Sequence, residues 1–151
     1  MQTEKVIDYI VNWLKDYATK AGVKGYVIGV SGGVDSGVVS TLCAKTGLKV
    51  LALEMPIRQQ KDQISRAQEQ IEFLKKKFDN VEGFTVDLNE PFEALYKTFD
   101  VKDDEFPAEK LAFANTRSRL RMLTLYYYGQ INGLLVCGTG NKVEDFGIGF
   151  Y

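Results

Sequence analysis

Gly29-Val30-Ser31-Gly32-Gly33-Val34-Asp35-Ser36 joins an apolar run, Tyr26-Val27-Ile28-Gly29-Val30, to a helix-prone one, Gly37-Val38-Val39-Ser40-Thr41-Leu42-Cys43. A strand that becomes a helix through Ser-Gly-Gly presents several backbone N–H groups at the positive end of the helix dipole, where no side chain obstructs a phosphate. The stretch reads as an anion cradle, although a Gly-Gly turn taken alone also fits a purely structural corner. Neither the phosphate-binding loop with a Lys nor the three-glycine dinucleotide fingerprint matches, because Asp35 and Ser36 hold the positions that matter. An acidic side chain beside phosphates is tolerated when a divalent cation separates the like charges, so Asp35 implies magnesium.

Outward from the cradle, hydrophobic spacing sets the rest. Val6, Ile7, Ile10, Val11, Leu14, Tyr17 and Ala18 predict an amphipathic helix over 3–21, ended by Gly22. Short apolar runs predict strands at 25–30, 49–53, 84–88 and 134–137, and helices are expected over 36–45, 62–77, briefly after Pro91, and over 107–130. The acidic stretch 100–105 reads as a solvated loop. Such alternation predicts an α/β fold: a parallel sheet with helices on both faces, right-handed crossovers and no repeats or linkers, in a single domain over 1–151. Ligands in these sheets lie beyond the carboxyl ends of the strands where strand order reverses. The loops after the first and fourth strands carry the most motif-like segments, as expected if those strands are neighbours at the reversal.

Composition narrows the function. The 151 residues are 45% apolar, and 19 basic against 20 acidic residues give a net charge of −1, so the chain has no global field for nucleic acid. No apolar run approaches the ~20 residues of a membrane span, and the first residues do not resemble a secretory signal; the expectation is a cytoplasmic protein without a membrane partner. Cys43 and Cys137 are 94 positions apart and each lies in an apolar segment, which favours buried reduced thiols over a bridge or metal site. With no His, mechanisms needing an imidazole are excluded, and chemistry must run on carboxylates, Lys, Arg, backbone amides and a bound ion.

Ser31-Gly32-Gly33-Val34-Asp35-Ser36 resembles the SGGxDS loop of the ATP pyrophosphatases, which adenylylate a carbonyl or carboxylate and release pyrophosphate. The resemblance implies a Rossmann-like adenine nucleotide alpha hydrolase fold with strand order 3-2-1-4. It also implies that residues 29–36 hold the pyrophosphate portion of ATP through serines and backbone amides, with Asp35 on magnesium. Leu135-Val136-Cys137-Gly138-Thr139-Gly140-Asn141-Lys142-Val143-Glu144 is similar to the LVxGTxNxxE segment of the NAD synthetases. By themselves a Gly-Thr-Gly turn and a glutamate also fit a plain turn and a surface charge. The resemblance places Thr139 on ATP and makes Glu144 a second magnesium ligand.

Asn115-Thr116-Arg117-Ser118-Arg119-Leu120-Arg121-Met122 is otherwise read as a solvated helix face, with Arg119 turned well away from Arg117 and Arg121. It resembles the NAD synthetase helix N-x-[KR]-x-R-x-R-M, which implies that Arg119 contacts deamido-NAD and that Asn115 adds a hydrogen bond. Residues 56–62 resemble the LPxxxQxD segment and point to Gln60 near ATP; Gln59 offers a competing alignment, and Met55 stands where the family has Leu. Tyr126, Tyr127 and Tyr128 with Leu120, Leu123 and Leu125 make the long helix apolar on more than one side. Core packing is the default for that helix, and because the family is dimeric through this region the resemblance also implies a homodimer.

The implied reaction is an ammonia-dependent amidation: ATP adenylylates the nicotinate carboxylate of deamido-NAD, and ammonia displaces AMP to give NAD. No glutaminase segment accompanies the motifs, so free ammonia is expected unless a separate subunit delivers it. Family members continue beyond Gly149-Phe150-Tyr151 into a TKYGDG-like segment and further helices, so the carboxyl-terminal part of the family domain is expected to be absent. The alternatives are another adenylylating pyrophosphatase and a nucleotide-binding module without catalysis. Of the former, a GMP synthetase stays open, whereas the tRNA-thiolating enzymes usually carry paired cysteines and a basic surface that this chain lacks.

Overall fold

The structure, a computed structural model, describes residues 2–99 and 106–148. Its elements in chain order are α1 Thr3–Lys20, β1 Gly25–Gly29, α2 Val34–Lys45, β2 Lys49–Glu54, α3 Lys61–Lys77, β3 Val81–Thr85, α4 Asn89–Thr98, α5 Pro107–Asn132, β4 Leu135–Cys137 and a π-helical turn, Val143–Ile148. The four strands pair in parallel in the order β3-β2-β1-β4, as the fold class requires. The acidic stretch 100–105 lies outside the described residues.

Alternating side chains divide the sheet between two cores. Tyr26, Ile28 and Val30 with Val50 and Ala52 face one side, where Leu14 and Ala18 of α1, Cys43 and Ala44 of α2, and Ala67, Ile71 and Leu74 of α3 cover them. Val27, Leu51 and Leu53 face the other, under Phe92 of α4 and Phe113 of α5. Strands buried on both faces need no polar alternation, which is why they read as continuous apolar runs. A glycine lets α5 come close: a methyl at Gly129 would stand 3.0 Å from the Leu134 carbonyl oxygen and 3.2 Å from Val27 Cγ1. Gly133 in the left-handed region, at φ 66°, then ends α5, so the helix runs past the expected boundary to Asn132.

The third strand differs from the sequence expectation, falling at Val81–Thr85 rather than 84–88. Asn80 sets this register, with its side-chain amide donating to the Ala44 and Leu48 carbonyls and its own carbonyl accepting from Val50 N–H. Glu82 and Gly83 resemble loop residues in sequence. On an edge strand, however, Glu82 is exposed to solvent, and Gly83 is needed because a methyl there would lie 2.6 Å from Ile71 Cγ2 of α3. Glu54 at the end of β2 is buried and accepts from Thr85 Oγ1 and Gln68 Nε2, tying β2, β3 and α3 together.

Tyr26 joins α1 to β1, its buried phenol donating to the Leu14 carbonyl at 2.6 Å. Burial first, and then the neighbouring Cys137 and Cys43, push this phenol from 10.0 up to about 12. The folded state therefore holds the proton above the pH at which the unfolded chain, near pKa ~10, releases it. This contribution to stability is complete below pH ~10 and is lost as pH rises through the folded value. Tyr26→Phe should cost about 1 kcal/mol at neutral pH and remove that alkaline decline, as read from urea midpoints across the alkaline range. An equally steep decline in both proteins would show that Tyr26 is not its source.

Candidate functional site

The loop between β1 and α2 is held by its own hydroxyls. Ser36, buried, donates to the Gly33 carbonyl at 3.0 Å and accepts from Ser31 N–H at 3.2 Å, while Ser31 Oγ accepts from Gly33 N–H at 3.3 Å and lies 3.1 Å from Ser36 Oγ. Gly33, extended at φ −87° and ψ 163°, is the residue before α2 and supplies no side-chain cap. The first N–H groups of the helix lack intrahelical acceptors and stay available to an anion. Gly32 is required twice over: its φ is +79°, and α3 crosses so closely that a methyl would stand 2.9 Å from the Gln63 carbonyl oxygen and 3.0 Å from Arg66 Cβ. Val34 and Asp35 remain exposed at the mouth, and Ser36 acts inside the loop as a strut.

Strand order reverses between β1 and β4, and a cleft of about 330 Å³ opens there. Gly29, Val30 and Ser31 form one wall, Val136 to Thr139 another, Met55 and Gln59 a third, and Ser118, Arg121, Met122 and Leu125 of α5 the floor. A side chain at position 29 would intrude, since a methyl there lies 3.0 Å from Met55 Cε. Of the residues named from sequence, the cleft brings together the start of the cradle and Thr139. Gln59 lines it, whereas Gln60 is exposed and precedes α3. Arg119 is exposed and Asn115 half-buried on α5, and neither is among the lining residues.

Arg121 is the lining residue that sequence reasoning passed over. Its Nε donates to the Met55 carbonyl at 3.0 Å, and burial first, then Arg117, lower its pKa from the usual guanidinium range. Among the described residues it has no carboxylate partner, so a half-buried positive charge faces the cleft. The signal was present in its spacing from Arg119, which puts only one of the two on the sheet side of the helix. Arg58 does not line the cleft, yet it shapes the loop that does. It adopts φ 50°, its N–H donates to Asn89 Oδ1 at 2.8 Å, and its guanidinium grips Glu93 at 2.6 and 2.8 Å over the rings of Phe92 and Tyr96. Those contacts hold an uncommon backbone conformation and thereby aim the neighbouring Gln59.

Asp35 and Glu144 flank a single asparagine. Asn141 Nδ2 lies 3.5 Å from Asp35 Oδ2, and Asn141 N–H lies 3.4 Å from Glu144 Oε2. The Asn141 side-chain oxygen accepts from the N–H groups of Val143 and Glu144, which fixes the turn. Among the described residues neither carboxylate is in an ion pair, and no group of three or more potential ligands forms a cage. Two exposed carboxylates beside an anion cradle fit magnesium, which is commonly held by one or two carboxylates together with substrate phosphates.

The description NAD synthase belongs to the family model that matches residues 6–151. The NH(3)-dependent NAD(+) synthetase of Mesoplasma florum is 38% identical, across all of this chain and 59% of its own length. That of Finegoldia magna is 37% identical, across 95% of this chain and 56% of its own. Among solved structures, the NMN synthetase from Francisella tularensis superposes with a TM-score of 0.86 at 33% identity, and the NH3-dependent NAD synthetase from Campylobacter jejuni with 0.85 at 28%. All of this chain is covered in both, against 59% and 62% of theirs. The chain thus spans about three-fifths of the length of the relatives it matches.

Gly32→Ala should lower stability by about 2 kcal/mol, from the unfavourable φ and the crowding against α3 together. Urea denaturation measures it directly. A loss below about 0.5 kcal/mol would show that the loop moves away from α3 without cost.

Proposed function

This chain belongs to the NAD synthase family, and on that premise we propose that it carries the ATP site of an ammonia-dependent NAD synthetase, in one domain that forms part of a longer family domain. The supporting observation is the cleft at the strand-order reversal, which joins the anion cradle after β1 to Thr139 after β4. The pyrophosphate portion of ATP lies on the first N–H groups of α2, within reach of Ser31 and Thr139. The nicotinate carboxylate of deamido-NAD attacks the α-phosphorus, pyrophosphate leaves, and ammonia displaces AMP from the acyl-adenylate to form the amide. Preorganised N–H donors stabilise charge on the departing pyrophosphate without needing to reorient. Magnesium, held by Asp35 and Glu144, supplies neutralisation of phosphate charge when bound. Arg121 adds a fixed cation at the cleft floor, and no step needs an imidazole.

Deamido-NAD extends from the cleft along α5 to Arg119 and Asn115, and Gln60 is kept with ATP. A planar guanidinium suits Arg119 to a pyrophosphate or carboxylate held at two points. The outer face of α5 exposes Leu123, Tyr126, Tyr127 and Ile131, each at least 60% accessible. That is more apolar surface than a solvated helix carries, and we assign it to a homodimer contact in a cytoplasmic enzyme. The solved NMN synthetase supports a second reading, in which the acceptor is the mononucleotide rather than the dinucleotide. Assays of the full-length natural protein with ATP, ammonia and either deamido-NAD or nicotinate mononucleotide separate the two. Turnover of neither would leave a nucleotide-binding module.

Asp35→Asn keeps the shape of the side chain and removes its charge. Pyrophosphate release should fall at least about a hundredfold with the fold intact, and near-normal turnover at saturating magnesium would refute the ligand role. Arg119→Lys should raise KM for deamido-NAD more than that for ATP, with Arg117→Lys as the weaker control on the same helix. Equal effects of the two substitutions on deamido-NAD would place the dinucleotide elsewhere.

A further inference from the structure

The two cysteines, far apart in sequence, meet in space. Cys43 lies on the buried side of α2, Cys137 ends β4, and their Sγ atoms are 3.5 Å apart. They differ in access: Cys43 is fully buried, whereas Cys137 lines the cleft beside Gly138 and Thr139. The Cys43 thiol donates to Cys137 sulfur. That contact draws the Cys137 thiol below its usual range although burial opposes it, and the same contact together with burial pushes Cys43 up. One sulfur therefore faces the cleft and is drawn towards the thiolate, and the other is shielded behind it.

We propose that Cys137 and Cys43 form an oxidisable pair, in which Cys137 reacts with a hydroperoxide that enters the cleft and Cys43 resolves the product to an intrachain disulfide. In the first step the Cys137 thiolate attacks the terminal peroxide oxygen. The O–O bond breaks, the leaving oxygen takes up the proton that Cys137 gave up on ionising and departs as an alcohol or water, and the sulfur is oxidised to a sulfenic acid. In the second, Cys43 sulfur attacks Cys137 sulfur, the S–S bond forms, the S–O bond breaks, and the hydroxide takes up the Cys43 proton and leaves as water. The sum is two thiols and one hydroperoxide giving a disulfide, an alcohol or water, and water. Bonding requires the sulfurs to close by about 1.5 Å, which draws the end of β4, and with it Gly138-Thr139, towards α2. Reversible oxidation thereby reshapes one wall of the cleft. The inference is independent of the ligand assigned to that cleft.

The test treats the reduced protein with equimolar hydrogen peroxide, quenches with N-ethylmaleimide under denaturing conditions, and reads intact mass and peptide maps. The expected product has lost two hydrogens, is blocked at both thiols, yields a peptide linking 43 to 137, and is restored by dithiothreitol. In Cys43→Ala, Cys137 should stop at a sulfenic acid that dimedone traps. In Cys137→Ala, Cys43 should oxidise at least about tenfold more slowly than the pair does. Three results would each overturn the proposal: wild-type Cys137 gaining oxygen without loss of the two hydrogens, disulfides only between chains, or Cys43 reacting as fast without Cys137 as with it. The wild-type mass decides even where a variant folds poorly.

Discussion

β1 hydrogen-bonds to β2 on one edge and to β4 on the other, and all three run parallel, so their carboxyl ends emerge on the same side of the molecule. Parallel strands need crossovers, and here α2 leaves β1 over one face while α5 reaches β4 over the other. The chain cannot fill the gap between those departures, because the connections that would close it run on opposite faces. A cleft at the end of β1 is thus a geometric consequence of the strand order. The glycines around it admit close approach: Gly32 lets α3 press on the cradle, Gly29 makes room beside Met55, and Gly129 seats α5 against β1.

The electrostatics of the cleft follow from what surrounds this space. A chain of net charge −1 offers no general attraction to phosphates, so attraction must come from fixed local groups. Among the described residues two are present, the helix terminus after Gly33 and the half-buried guanidinium of Arg121, and neither depends on a flexible Lys. On that same first turn of α2, Asp35 meets Glu144 around Asn141. An anion-accepting floor beside a pair of unpaired carboxylates is complementary to an anion that brings its own divalent cation.

Rigidity in the loop after β2 comes from a residue that touches no part of the cleft. Arg58 adopts a positive φ, a conformation that a non-glycine side chain tolerates only when its surroundings impose it. The Glu93 grip and the stack on Phe92 and Tyr96 impose it, so α4 fixes the path of the chain into Gln59. Similar indirect control comes from Ser36, whose hydroxyl braces the cradle from within.

What the sequence by itself determined is what depends on neighbours along the chain. Apolar runs marked the buried strands, helical spacing marked α1 and α3, and the contiguous Ser-Gly-Gly-Val-Asp-Ser string marked a turn open to anions. A sheet order of 3-2-1-4 entered through family resemblance, and the pairing of β1 with both β2 and β4 agrees with it. Tertiary structure alone decided the matters that depend on which distant surfaces touch. The edge strand slid to Val81–Thr85 because Asn80 is pinned by the end of α2 and the start of β2. Between adjacent residues of like type, Gln59 and not Gln60 lines the cleft, since a strained backbone at Arg58 turns the chain just before them. Arg121, rather than Arg119, reaches its floor because the helix rotates one towards Met55 and the other to solvent. Cys43 and Cys137 come within 3.5 Å because α2 and Cys137 share one face of the sheet, a contact between residues 94 positions apart that no local pattern encodes.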